Sequence, residues 1–189
     1  MAGSTIFYTE TLQPWIIASG GVAATTITLT TTAKQIATQA SFGLVPVGFW
    51  YPGKAIRLDC YFETTSGATP GNFTIGLFYG NGDNAGVSKT GAAIAFAATQ
   101  TSRTVHVQAT MRCRTTGTAG SAWITGRADM DKALITATTY EPYLIPQTAN
   151  ATVAIDTTVG TNAFTIQALN SGANASTTIL QELNIQAVN

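Results

Sequence analysis

The sequence predicts an all-β fold, an antiparallel jelly-roll sandwich, and three observations carry that reading. Apolar and polar residues alternate with period two in several separate runs, the pattern of a strand buried on one face. Clusters rich in Gly, Pro, Asn and Ser separate these runs and supply turn chemistry. The composition is dominated by Thr, Ala and Gly, with only 10% charged residues against roughly 25% in soluble globular domains. β-Branched Thr favours strands.

The elements follow in order. Met1–Gly21 reads as an extended arm or attachment segment, because WIIASGG lacks alternation, although Ser4–Glu10 is a candidate strand. Residues 22–189 read as one jelly-roll domain. TITLTTT (Thr26–Thr32) and Lys34–Gln39 are candidate strands. Ile56, Leu58, Cys60 and Phe62 alternate with Arg57, Asp59, Tyr61 and Glu63. After the turn cluster TTSGATPG, Phe73, Ile75, Leu77 and Tyr79 alternate with Thr74, Gly76 and Phe78. Asn81-Gly82 then marks a hairpin turn, followed by a short strand around Ala92–Ala97.

In RTVHVQATMRCRTT, Val105, Val107, Ala109, Met111 and Cys113 share one face, with His106, Gln108, Thr110, Arg112 and Arg114 opposite. Ala122, Ile124, Gly126 and Ala128 oppose Trp123, Thr125 and Arg127 on the next strand. Helical period is weak throughout, and Asp129–Thr138 has room for a single turn. Three strands close the chain. Thr152–Val159 places Val153 with Ile155, Ala163–Leu169 places Phe164 with Ile166, and Ser176–Val188 places Ile179 with Leu183, Ile185 and Ala187.

Size and charge narrow the function. A chain of 189 residues suits one domain with a real core. Nine basic residues balance nine acidic ones, which argues against nucleic acid as partner. Sparse charge suits surfaces buried in an assembly. No apolar run approaches the roughly 18 residues of a membrane helix. The N-terminus lacks the basic and apolar regions of a signal peptide, so synthesis in the cytoplasm without export is expected. There, Cys60 and Cys113 are expected as buried free thiols.

No arrangement of residues demands catalysis, and the chain is read as a non-enzyme without cofactor or metal. His106 is the sole histidine, on a polar strand face without a recognisable nucleophile motif. Asp129-Met130-Asp131 and Asn81, Asp83 and Asn84 carry cation-compatible oxygens, yet a polar loop and a hairpin turn explain them equally. Asp59 and Glu63 share a strand face, as exposed strand polarity would. FWYPG, Phe49 to Gly53, is either a sugar-stacking platform or a strand end whose rings cap the barrel or pad a subunit contact. The contact candidates are Trp15, Phe49, Trp50, Tyr51, Tyr61, Phe78 and Trp123. Tyr61, Phe78 and Trp123 are expected to point outward.

GFWYPGKAIRLDCYFETTSGATPGNFTIGLFYGNG resembles the jelly-roll structural proteins of tailed-bacteriophage virions, found as head-decoration proteins and as domains of minor tail proteins. The matching features are Phe49, Pro52-Gly53, Lys54, the alternation Ile56–Phe62, the loop Thr64–Gly71 and the alternation Phe73–Tyr79. IDTTVGTNAFTIQALNSGANASTTILQELNIQAVN is similar to that family's last strands. The resemblance implies a homotrimer attached to the particle, and no catalytic residues. The expected function is capsid decoration. Such a protein docks on the major capsid protein and cements the assembled head, at the capsid surface of a virion built in the host cytoplasm. The alternative is a tail or surface module that recognises a receptor or glycan.

Overall fold

The computed structural model describes residues 26–36, 44–81, 85–136, 142–147, 151–172 and 176–188. The Met1–Gly21 arm with Trp15, the candidate strand Ser4–Glu10, and Asp83 and Asn84 lie outside the described residues.

Twelve strands are described: β1 Thr26–Thr28, β2 Lys34–Gln35, β3 Ala55–Thr65, β4 Asn72–Asn81, β5 Ala85–Thr90, β6 Ile94–Ala95, β7 Arg103–Thr115, β8 Gly120–Met130, β9 Tyr143–Ile145, β10 Thr152–Ile155, β11 Ala163–Asn170 and β12 Thr177–Val188. They form two antiparallel sheets. A seven-stranded sheet runs β1-β12-β3-β7-β8-β10, with β9 also paired to β8, and a five-stranded sheet runs β2-β11-β4-β5, with β6 also paired to β4. The only helical piece among the described residues is a 3-10 turn, Lys132–Leu134, capped by the Asp131 side chain. Nor is any helix there long and apolar enough to cross a membrane.

The sheets pack face to face as a β-sandwich over one core. Ile56, Leu58 and Phe62 of β3, Val105, Val107 and Met111 of β7, and Ile124 of β8 meet Phe73, Ile75 and Leu77 of β4 and Phe164 and Ile166 of β11. The alternation in the sequence predicts each of these inward positions. Each such side chain stabilises the fold by about 1.5–3 kcal/mol on leaving water. Gly126 marks one close approach between the sheets. A Cβ placed there would lie 3.0 Å from Leu77 Cδ1 of the facing sheet, so the missing side chain makes room for leucine.

Some elements depart from the sequence pattern. The run Thr152–Val159 ends at Ile155, because Asp156 Oδ1 accepts the Thr158 backbone N–H at 2.8 Å and its hydroxyl at 2.6 Å. That Asx turn satisfies locally what a continuing strand would have paired. Thr26–Thr32 shortens to Thr26–Thr28; beyond it, Thr30 Oγ1 accepts the Thr32 N–H at 3.3 Å. In β12 the register shifts between Leu180 and Glu182. This bulge reverses the phase of the strand. Thr178 and Leu180 are therefore buried before it, while Leu183, Ile185 and Ala187 are buried after it, and Ile179 turns away from the core.

Candidate functional site

The outer face of the seven-stranded sheet carries the densest polar chemistry among the described residues. Register aligns its outward side chains in rows that cross the strands. One row is Asn184, Asp59, Gln108, Arg127 and Leu144, on β12, β3, β7, β8 and β9. A second holds Glu182, Tyr61, His106 and Asp129, and a third Gln186, Arg57, Thr110 and Thr125. Together the rows line most of a groove of about 980 Å³.

Hydrogen bonds hold the middle row in place. Gln108 Nε2 donates to Asp59 Oδ2 at 3.0 Å, and Arg127 Nη2 donates to Gln108 Oε1 at 3.0 Å. His106 Nε2 bonds the other Asp59 oxygen at 2.8 Å. The His106 ring stacks on Tyr61 with centroids 4.0 Å apart and planes 4° apart. Arg127 Nε lies 3.7 Å from Asp129 Oδ2. Asn184 ends the row, and its enclosed Oδ1 has no hydrogen-bond partner.

His106 thus faces outward as the alternation predicts, and its neighbours tie it into this network. Both Asp59 oxygens are committed to His106 and Gln108, so Asp59 and Glu63 share a face without forming an acid–base pair. Asp131 caps the 3-10 turn through the Ala133 N–H and pairs with Arg103 at 3.4 Å. Its neighbour in the DxD motif, Asp129, turns to Arg127 instead. Among the described residues no three His, Cys, Asp or Glu side chains converge as a metal site would require.

The aromatic candidates divide. Tyr61, Trp123 and Tyr51 are 37%, 38% and 45% exposed. Phe78 is buried, against expectation. Its ring lies over Gly86 of β5, where an added Cβ would come 2.7 Å from Phe78 Cζ. Phe49 and Trp50 are also buried, which removes both from any sugar platform. Trp50 Nε1 donates to the Tyr79 hydroxyl at 2.9 Å, and Phe49 meets Trp50 edge-on at 4.9 Å. The Pro52-Gly53 turn closes with the Lys54 N–H on the Tyr51 carbonyl at 3.0 Å, and Gly53 sits at φ 95°, the conformation a type II turn reserves for glycine. The turn brings the Lys54 ammonium 4.1 Å from the Phe49 ring centroid. The cluster therefore caps one end of the sandwich.

Cys60 and Cys113 are free and buried, as the strand pattern predicts. Burial pushes both thiols up from their ordinary range, and nearby Asp59 and Glu182 add to the effect at Cys60. Burial also pushes the Tyr143 phenol up to about 12. The groove residues Glu182, Asn184 and Gln186 follow from the alternation of the last strand, whereas Leu144 sits on a three-residue strand too short to signal itself. No protein-family model matches this sequence, and no curated protein matches it.

Proposed function

We propose that this chain is a jelly-roll virion protein, a capsid-decoration protein that binds the assembled head of a tailed bacteriophage as a homotrimer and stabilises it. The strand order is the observation that carries this reading. In the larger sheet β1 lies beside β12, β12 beside β3 and β3 beside β7, while the smaller sheet runs β2-β11-β4-β5. The chain alternates between the sheets from β1 to β4 and again from β10 to β12, and the first and last strands are neighbours, as in a double Greek key. Strands β8, β9 and β10 extend the larger sheet past β7. The sequence resemblance to phage decoration proteins supplies the biological context.

In this reading residues 22–189 are the jelly-roll domain and Met1–Gly21 is the attachment arm. Exposed Trp123 and Tyr51 contribute to subunit and capsid contacts, since large exposed apolar groups mark interfaces. A cyclic trimer uses heterologous contacts, and three attachment points on the major capsid protein multiply a modest affinity. The protein acts at the capsid surface without catalysis, nucleic acid or membrane.

The test adds purified protein to heads that lack it. Saturable co-sedimentation at a fixed copy number, with raised resistance to heat or osmotic shock, is expected. Trp123→Ala is expected to weaken co-sedimentation about tenfold or more, the loss of one interface anchor, at unchanged Tm. Heads equally resistant with and without the protein would refute the cementing role.

A further inference from the structure

We propose that the groove on the outer face of the seven-stranded sheet binds an uncharged oligosaccharide, with Asn184, Asp59, Gln108 and Arg127 as its polar floor. This goes beyond capsid docking and does not depend on it.

The dimensions point to an oligomer. The floor row crosses from β12 to β9, four strand spacings of roughly 4.8 Å, or on the order of 19 Å. A single sugar ring leaves most of that length unused, whereas a short chain lying across the strands fills it.

The chemistry points to hydroxyl groups. Amide, carboxylate and guanidinium side chains present donors and acceptors in fixed planar pairs, which suit neighbouring hydroxyls that both donate and accept. Arg57 and Arg127 are offset by Asp59 and Glu182 in the groove lining, so its formal charge cancels. A sulfated or phosphorylated chain would meet two carboxylates, and a basic peptide two guanidinium groups. An extended peptide would also need free backbone groups at a sheet edge, but β3 and β7 are paired on both sides. Recognition here rests on side chains.

The floor is also organised in advance. The bonds His106–Asp59, Gln108–Asp59 and Arg127–Gln108 fix these side chains before a ligand arrives, which lowers the entropic cost of binding. Asn184 breaks the pattern. Its unpaired Oδ1 leaves the row one donor short, and a ligand hydroxyl supplies that donor once the amide turns toward the groove. At the rim, Tyr61 is held by its stack on His106 yet remains 37% exposed, offering ring surface to the apolar face of a sugar.

Titration of the 15N-labelled full chain tests the assignment. The neutral probes are maltohexaose, cellohexaose, xylohexaose and the hexamer of N-acetylglucosamine, and the charged comparisons are a heparin hexasaccharide and hexalysine. At least one neutral probe is expected to shift the Asp59, Gln108, Arg127 and Asn184 amides, with an affinity unchanged between low and high salt. Gln108→Ala is expected to weaken binding about tenfold, the worth of one well-placed hydrogen-bonding group. Asn184→Leu roughly preserves size, removes the acceptor and provides a second variant, with a comparable loss expected, while Lys132→Ala leaves binding unchanged. Neutral probes that leave these amides unmoved, binding by the charged probes alone, or variants that bind like the parent overturn the proposal. Co-sedimentation with heads is measured separately, so loss of sugar binding and loss of capsid docking are told apart.

Discussion

Replacing Gly126 by alanine tests how closely the two sheets approach. Position 126 lies on the core side of β8, opposite Leu77 of β4. An added Cβ would sit 2.6 Å from the Gln108 carbonyl oxygen, 3.0 Å from Ala109 Cβ and 3.0 Å from Leu77 Cδ1. The leucine tip can rotate away, but the carbonyl belongs to the β7–β8 ladder and cannot. Overpacking of this kind costs about 1–3 kcal/mol. Replacing glycine returns about 0.4–1 kcal/mol by stiffening the unfolded chain. The balance is a loss of about 1–2 kcal/mol, which lowers Tm by roughly 2–8 °C in a chain of this size. Differential scanning calorimetry reads it directly. Adding Leu77→Ala to Gly126→Ala relieves only one of the three contacts. The double-mutant cycle should therefore show a coupling of roughly 0.5–1 kcal/mol, at the low end for touching residues. A Gly126→Ala protein that melts at or above the parent temperature would refute this account of the sandwich.

Three further outcomes follow from the same contacts. Trp50→Phe removes the indole donor to Tyr79 and should cost about 1–3 kcal/mol, read as a lower denaturant midpoint with unchanged slope. In the folded chain burial holds the protons on Cys60, Tyr79 and Tyr143 above their ordinary values of 9.0 for the thiol and 10.0 for the phenols, with Tyr143 at about 12. The unfolded chain releases these protons first, so stability is full below about pH 9 and falls as pH rises beyond it; a Tm that stays flat to pH 11 contradicts this. Both cysteines should resist a thiol reagent in the native protein at pH 8 and react at two per chain in urea, because the thiolate is the reactive form; rapid native labelling would place a thiol at the surface.

Much of the fold is legible in the sequence because burial on one face writes a period of two. That signal locates β3, β4, β7 and β8, and it points His106, Gln108, Asp59 and Tyr61 outward. It fails wherever the one-face assumption fails. Phe78 alternates like a solvent-facing residue, yet β4 and β11 are buried along both faces. The bulge in β12 breaks the period, so Ile179 and Leu183 look like partners although they face opposite ways. Strand β5, AGVSKT, carries little apolar signal, and β9, YLI, is apolar but too short for a period to show. The groove was hidden for a related reason. Each of its side chains is readable as outward, but only cross-strand register brings Asn184 into line with Asp59, Gln108 and Arg127.

The distribution of charge ties the fold to its proposed uses. Every arginine of the chain, Arg57, Arg103, Arg112, Arg114 and Arg127, lies on β3, β7 or β8. Asp59, Glu63, Asp129 and Glu182 lie on the same sheet. These nine of the eighteen charged residues lie on one sheet, and on its outer face Arg57 and Arg127 stand among Asp59, Asp129 and Glu182. Such a face presents many directed hydrogen-bonding groups and little net field. Long-range steering is therefore weak, and recognition depends on close geometric match rather than on attraction at a distance. That favours a neutral, hydroxyl-rich ligand over an ion in the proposed groove.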